Sequence, residues 1–239
     1  MEKFFEDFNL IWNLISNNEN FVHARYADGE VLLMRGTSVN KNTQAFVVDK
    51  WDAPDKLTLV GKELLETLNH EEKNYFYAIS GKNDSPSDYE FLTERIKQNK
   101  EHITFANLWI NGNYQKMMMR YEMINREVIL ICNENAKKEN FPFNVIDIQT
   151  FPNNCIEFWE TNSIEYINEL ISRFGQIENK LFLISCGPVS EIIIHKLYLN
   201  NQNNAYVDVG SSIDEFVHCR KTRPYMNPNT PYANQISIF

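Results

Sequence analysis

Apolar residues recur along the chain in two alternating patterns, one helical and one strand-like. The opening segment places Phe4, Phe8, Ile11, Leu14 and Ile15 at helical spacing, which predicts an amphipathic helix. Further on, short runs rich in β-branched and aromatic residues alternate with helical stretches of about ten to fifteen residues. This alternation is typical of βαβ units around a mostly parallel sheet, so we expect a single Rossmann-like α/β domain with helices flanking the sheet.

The individual elements follow from the same pattern. The predicted strands are FVHARY (21–26), NYFYAIS (74–80), HITFANL (102–108), EVILIC (127–132), NVIDIQ (144–149), LFLISC (181–186) and AYVDVG (205–210). The predicted helices that follow the first one are VLLMRG (31–36), Asp52 to about His70, PSDYEFLTERIKQN (86–99), YQKMMMRYEMI (114–124), SIEYINELISRF (163–174) and SEIIIHKLYL (190–199). No repeat or Gly/Ser linker divides them, so one domain over 1–239 is the simplest account, with an irregular, proline-containing tail from about residue 221.

Composition and charge narrow the class of partner. The net charge of −9 argues against a nucleic acid, because binding to a phosphate backbone relies on Lys and Arg. A divalent cation can still bridge an acidic protein and an anionic substrate. The four cysteines form no C-x-x-C pair, which favours free thiols in a reducing compartment. Because the chain has neither a signal-peptide pattern nor an apolar run of about 18 residues, we expect a cytoplasmic protein without a transmembrane segment.

Several common enzyme motifs are absent from the sequence. It contains no P-loop, no G-x-G-x-x-G, no G-x-S-x-G elbow and no H-E-x-x-H. Three other segments remain as candidates for chemistry, and each includes the carboxyl end of a predicted strand. Open α/β sheets bind their ligands at this end of the strands.

The first segment is RYADGE, which spans Arg25 to Glu30. Asp28 and Glu30, separated by one glycine, can share a hard cation such as Mg²⁺ or Mn²⁺. A nucleotide sugar needs such a cation, since two phosphates carry the charge of the leaving group. The alternative is structural, with Asp28 capping the helix and Glu30 favouring its positive end. Spacing alone leaves both interpretations open.

The second segment is CGPVS, between the strand LFLISC and the next helix. Gly187 lets the backbone approach a ligand closely, Pro188 suits a first helical turn, and Ser190 offers a hydroxyl to an anion. The alternative is an ordinary strand–turn–helix connection in which Gly187 serves only close packing.

The third segment is YVDVGSSIDEF, and a basic cluster follows it. Asp208 falls in a buried type of strand, which is costly unless the carboxylate is paired or acts on a ligand. Asp208 and Asp214 are therefore candidates for an acceptor-activating base or a ribose contact. Ser212 and Glu215 have the spacing of a capping box. The cluster of Arg220, Lys221 and Arg223 either clamps a diphosphate or is a solvated run of charge.

Taken in order, these segments resemble the GT-D-type glycosyltransferases, from about Phe21 to Phe216. The family carries R-[FY]-x-D-G-E near its start, then a strand with L-G-P and a helix, then a D-[IV]-G-x-x-D-x-E-[FY]-like segment. RYADGE, LFLISCGPVSEIIIHKLY and AYVDVGSSIDEF match these three motifs. The chain departs from the family at Val189, where threonine is usual, and at Ser211 and Ser212, where a histidine usually follows the glycine.

The resemblance implies a Rossmann-like sheet, a divalent cation (Mn²⁺ or Mg²⁺) and a UDP-sugar donor. Asp28 and Glu30 become the metal ligands. The donor-binding residues implied by position are Arg25, Gly187, Pro188, Val189, Ser190 and Gly210. The residues implied to lie near the reacting sugar are Asp208, Asp214 and Glu215.

The resulting hypothesis is a hexosyltransferase that moves a sugar, with glucose as a guess, from a nucleotide-sugar donor to an acceptor glycan or glycoprotein. Two alternatives belong to other classes. One is a nucleotide-sugar-binding protein without transferase activity. The other is a different Rossmann-like transferase, such as a methyltransferase that uses S-adenosylmethionine, whose ligand affinity would not respond to a divalent metal.

Overall fold

The buried apolar runs of the chain form the strands of a sheet. The computed structural model describes residues 2–40 and 52–236. Its strands, in chain order, are β1 (Val22–Tyr26), β2 (Val39–Asn40), β3 (Asp52–Ala53), β4 (Tyr75–Ile79), β5 (Ile103–Phe105), β6 (Val128–Asn133), β7 (Val145–Phe151), β8 (Leu181–Ile184) and β9 (Ala205–Asp208). Its helices are α1 (Glu2–Ser16), α2 (Asp28–Met34), α3 (Leu59–Thr67), α4 (Pro86–Thr93), α5 (Tyr114–Tyr121), α6 (Cys155–Phe174), α7 (Ser190–Asn200) and α8 (Asp214–His218).

Seven of the described strands form one sheet in the order β5-β4-β1-β9-β8-β6-β7. Every neighbouring pair in this sheet is parallel, so the expected mostly parallel sheet is confirmed. The chain runs outward from β1 through β4 to β5, crosses to β6 and β7, and returns through β8 and β9. The two halves of the sheet therefore meet at β1 and β9, and crevices at such a reversal of strand order are where open α/β sheets bind ligands.

Two hydrophobic cores cover the two faces of the sheet. Alternate residues of β1, Val22, Ala24 and Tyr26, pack on one face with α2, α3, α6 and α7. The other face packs against α1 and α5 and contains the remaining apolar residues of the strands. Burial on both faces explains why β4 and β8 read as continuous apolar runs rather than as alternating ones.

The largest errors in the predicted boundaries are at the start of α3, the end of α4 and the start of α6. The helix expected from Asp52 begins at Leu59, with Thr58 as its N-cap, whose Oγ1 accepts the Gly61 N–H at 3.1 Å. Asp52 instead lies in β3, which pairs antiparallel with β2. Residues before a proline favour extended backbone, and Ala53 precedes Pro54.

The helices α4 and α6 also differ in length from expectation. The predicted helix over 86–99 ends at Thr93, while α6 begins eight residues before the expected Ser163. The polar run of Thr161 and Asn162 hides this earlier start, although Cys155 and Trp159 continue the buried face of α6.

The C-terminal tail packs on the domain. It contains 3₁₀ turns at Pro224–Met226 and Pro231–Asn234, and its last three residues lie outside the described part of the chain. The Tyr225 ring contacts the Tyr114 ring of α5 with their centroids 5.2 Å apart. No helix among the described residues is long and apolar enough to span a bilayer.

Candidate functional site

An ion pair joins β1 and β9 at the carboxyl end of the sheet. Arg25 Nε donates to Asp208 Oδ2 at 3.0 Å, although 183 residues separate the two in sequence. Asp208 Oδ1 accepts the Gly210 N–H at 2.8 Å, and the Asp208 carbonyl accepts from Trp109 Nε1 at 2.9 Å. The Asp208 side chain is only 2% exposed, so its carboxylate is committed to this pairing rather than turned toward solvent.

Gly210 makes room for the guanidinium group of Arg25. Its φ is +48°, in the left-handed region that favours glycine. A Cβ atom at this position would lie 2.7 Å from Arg25 Nη2. The predicted donor-binding glycine thus has a clear local role, which is to let the guanidinium lie over the backbone that follows β9.

Asp28 and Glu30 stand at the start of α2, next to this ion pair. Glu30 Oε2 accepts the backbone N–H of Ala27 at 2.8 Å, so Glu30 makes the contact of a helix cap. Ala27 is the N-cap and Asp28 the first residue of α2, so the interpretation of Asp28 as the cap is wrong. Glu30 is buried and Asp28 is exposed. Burial raises the pKa of Glu30, Arg25 lowers it, and the negative charge of Asp28 raises it further.

A divalent cation fits this arrangement only as a partial site. Among residues 2–40 and 52–236, no three His, Cys, Asp or Glu side chains converge on one metal position. Mg²⁺ usually takes one or two carboxylates and completes its shell with phosphate oxygens and water. Asp28 and Glu30 can supply the two carboxylates, because a carboxylate that already accepts one N–H keeps lone pairs for a second partner.

The CGPVS segment forms a tight turn between β8 and α7. Gly187 has a φ of +58° and is exposed, while Pro188 and Val189 are buried. Ser190 Oγ accepts the Cys186 N–H at 2.9 Å, and the Ser190 N–H donates to the Gly187 carbonyl at 3.1 Å. The Ser190 hydroxyl therefore stabilises the turn itself, and a ligand here would meet the backbone of Gly187 rather than the side chains that follow it.

A cavity of about 60 Å³ opens beside this turn, at the ends of β6, β7 and β8. Both polar and apolar residues line the cavity, and they include Asn133, Ser185, Gly187, Asp214 and His218. A ligand in this cavity would meet the backbone of Gly187 and the side chains of Asp214 and His218.

Of the three predicted acids near the sugar, Asp214 is the one that lines this cavity. Its Oδ2 accepts from Thr222 Oγ1 at 2.7 Å, and Arg223 Nε lies 3.7 Å away. Glu215 instead accepts a hydrogen bond from the Tyr114 hydroxyl at 2.9 Å. Arg220 and Lys221, the other members of the basic cluster, are exposed.

The predicted capping box of Ser212 and Glu215 is not formed. Ile213 is the N-cap of α8, and Ser212 Oγ donates to the Val209 carbonyl at 2.7 Å. Ser212 Oγ also lies 2.6 Å from the Tyr121 hydroxyl, whereas Ser211 Oγ lies 2.6 Å from that of Tyr225. The two serines that depart from the family pattern thus anchor α5 and the C-terminal tail.

Sequence reasoning missed Glu191, in the first turn of α7. The side chain is fully buried, with both carboxylate oxygens lacking a hydrogen-bond donor among the described residues. Burial lowers the pKa of Arg25, but the carboxyl groups around it, with Asp208 the largest contributor, raise it by more, and Glu191 lies close enough to belong to this group. The only sign in the sequence was an acidic residue directly before the apolar run that starts at Ile192. Such a residue is also expected at the N-terminus of any helix, where negative charge is favourable.

The parallel sheet forms one domain, and its strand order reverses at β1 and β9, where the polar groups of the candidate site lie. These features define a Rossmann-like fold. No family model matches the chain, and no curated protein matches it in sequence. The fold is nevertheless similar to that of a glycosyltransferase (DUF1792) from Streptococcus sanguinis, with a TM-score of 0.58 and 13% identity over 89% of this chain and 84% of that one.

Two further solved structures are similar over 89% of this chain and 80% of theirs, each at 12% identity. One is the domain of unknown function 1792 described as having a distinct glycosyltransferase fold, with a TM-score of 0.55. The other is a selenomethionine-substituted form of domain of unknown function 1792, with a TM-score of 0.57. At this identity the likeness shows the fold alone. The structural likeness therefore confirms, for the fold, the resemblance that the three sequence motifs indicated. The chain has this glycosyltransferase fold.

Proposed function

We propose that the protein is a metal-dependent glycosyltransferase that moves a hexose, with glucose as the first candidate, from a UDP-linked donor to an acceptor glycan or glycoprotein. One observation carries the proposal. The guanidinium of Arg25 lies beside Glu30 and Asp208 at the central carboxyl edge of a sheet with a glycosyltransferase fold. A cationic group and carboxylates placed together suit a diphosphate and its counter-cation.

In this proposal Arg25 binds a phosphate oxygen of the donor, because its Nε is held by Asp208 and its Nη2 lies over Gly210. Asp28 and Glu30 would hold Mn²⁺ or Mg²⁺ together with oxygens of the diphosphate. When bound, such a cation neutralises the charge that develops on the leaving nucleoside diphosphate.

The acceptor hydroxyl would attack the anomeric carbon of the sugar. For a reaction with inversion, Asp214 is the preferred base, since it lines the cavity with Gly187. Asp208 is a poor choice, because donors already occupy both of its oxygens. Cys132, Cys155 and Cys186 are buried free thiols, which suits the reducing cytoplasm as the place of transfer.

The first test is a thermal-shift screen of UDP, GDP, CDP, their common sugars and S-adenosylmethionine, each with Mn²⁺ and with a chelator. A ligand that binds only the folded state raises Tm. A rise with one nucleotide that requires Mn²⁺ supports the proposal and identifies the donor class. A rise with S-adenosylmethionine alone would favour a methyltransferase instead, and donor binding without transfer or hydrolysis would favour a binding protein.

A matched pair of variants tests the cation ligands. Glu30→Gln should abolish turnover and the Mn²⁺-dependent part of the shift while the unliganded protein stays folded. Glu165→Gln makes the same chemical change at an exposed position of α6 and should leave both unchanged. Near-normal turnover of Glu30→Gln would contradict the assignment of Glu30 as a ligand.

A further inference from the structure

Glu191 is a buried acid that the proposed chemistry does not use. It lies directly after Ser190, whose hydroxyl closes the Gly187 turn, and it begins the buried face of α7. Its side chain is 0% exposed, and neither carboxylate oxygen has a hydrogen-bond donor among the described residues. An ionised carboxylate in that position would be costly, so the group needs either a cation or a proton.

The position of Asp208 indicates that Glu191 has a proton rather than a cation. The carboxyl group lies within hydrogen-bonding reach of the Asp208 carboxylate. Two ionised carboxylates this close repel each other, and such a pair holds one proton between its members. Asp208 is the member that stays charged, because Arg25 Nε and the Gly210 N–H both donate to it.

The charges around Glu191 agree with this distribution. Burial raises the pKa of Glu191 well above its usual value, and Asp208 and Glu30 raise it further. Arg25 acts in the opposite direction with a smaller effect. The apolar neighbours of Glu191 on α7, Ile192 and Ile193, are fully buried and offer it no polar contact.

We propose that Glu191 is a positioning residue whose protonated carboxyl group donates a hydrogen bond to Asp208 and thereby holds Arg25 in place for an anionic ligand. The choice of ligand, a nucleoside diphosphate, rests on the proposed function, whereas the Glu191–Asp208 hydrogen bond does not. With this bond the Asp208 carboxylate accepts from three donors. Asp208 then acts as a support for Arg25 and not as a base.

Three variants separate positioning from simple packing. Glu191→Gln keeps a donor of the same shape, and its Kd for UDP with Mn²⁺ should stay within about threefold of wild type. Glu191→Ala removes the donor and should raise that Kd at least about tenfold, since hydrogen bonds to charged groups contribute about 1.5–3 kcal/mol. Ile194→Ala removes a fully buried side chain elsewhere on α7, so it should lower Tm and leave the Kd unchanged.

The conservative variant decides the result. Equal loss of affinity in Glu191→Gln and Glu191→Ala would mean that Glu191 acts as an anion, which overturns the proposal. Wild-type affinity in Glu191→Ala would overturn it as well. An equal loss in Ile194→Ala would show that the effect is general destabilisation of α7.

A ligand-free measurement keeps the outcome separate from that of the proposed function. If wild-type protein binds none of UDP, GDP and CDP, the proposed function fails. The Glu191–Asp208 bond is then judged from urea unfolding of Glu191→Ala, Asp208→Asn and the double variant. Coupling of at least about tenfold in the unfolding equilibrium constant supports the bond, and additive effects overturn it.

Discussion

The Arg25–Asp208 ion pair connects β1 and β9, the first and last described strands of the chain, which are neighbours near the centre of the sheet. Removing this ion pair should have a measurable cost in stability. Asp208→Asn keeps the shape of the side chain and an oxygen for the Gly210 N–H, but it removes the charge opposite Arg25. Breaking a buried pair from one side typically costs about 3–5 kcal/mol. The Arg25 side chain is 20% exposed, so water compensates part of the loss.

We therefore expect a cost near the lower bound, about 3 kcal/mol, for Asp208→Asn. At about 2–4 °C per kcal/mol for a chain of this size, Tm should fall by about 6–12 °C. Urea unfolding followed by circular dichroism measures the free energy directly, provided that the m-value of the variant matches that of wild type.

An exposed ion pair serves as the control. Arg173 Nη2 and Asp147 Oδ1 are 2.6 Å apart, closer than Arg25 and Asp208, but both side chains are about a third exposed or more. Asp147→Asn should therefore cost no more than about 1 kcal/mol. If Asp208→Asn costs as little as Asp147→Asn, then the buried pair does not stabilise the centre of the sheet and the reasoning is wrong.

Three further predictions concern Gly210 after β9, His23 in β1 and Glu191 in α7. Gly210→Ala forces a Cβ atom against Arg25 Nη2 at a residue with positive φ. It should lower the free energy of unfolding in urea by about 1–2 kcal/mol and weaken UDP binding. Unchanged affinity for UDP would contradict the placement of Arg25. Burial first, and Arg25 second, lower the pKa of His23 to about 3. The unfolded state therefore binds a proton that the folded state does not as pH falls below 6.5. The free energy of unfolding should then fall by up to about 1.4 kcal/mol per pH unit relative to His23→Gln. For Glu191 the folded pKa is raised, so its contribution is present at low pH and is lost as pH rises. Glu191→Gln should therefore gain stability relative to wild type between pH 5 and 8, and parallel curves would refute this.

Most of the sheet could be predicted because its strands are buried on both faces. Runs such as VILIC and LFLI have no polar alternation, which is typical of parallel strands buried on both faces. The short pair β2 and β3 could not be predicted, since two residues each carry no periodic signal. The start of α3 was misplaced because Pro54 resembles a first-turn proline, while Thr58 is the residue that caps the helix.

The candidate site was predictable only in pieces. Arg25, Asp28 and Glu30 lie within six residues of sequence, so their common position at the carboxyl end of β1 follows from one strand end. The contact between Arg25 and Asp208 depends on β9 lying beside β1, which is a property of strand order and not of either segment. Glu191 could not be recognised, because an acid in a first helical turn is ordinary on the surface and only the tertiary structure shows that it is buried.

Charge balance links the proposed cation to the proposed proton on Glu191. Asp28, Glu30 and Asp208 bring three carboxylates to the edge where β1 and β9 meet, and Arg25 is the cation that the described contacts place among them. With Glu191 neutral, this group carries two net negative charges, the amount that one divalent cation offsets. An ionised Glu191 would add a third net negative charge at a fully buried position, where no N–H group of the described residues stabilises it. A proton on the buried Glu191 and a divalent cation at Asp28 and Glu30 together therefore balance the negative charge of the cluster. A donor diphosphate can then approach Arg25 without meeting uncompensated negative charge.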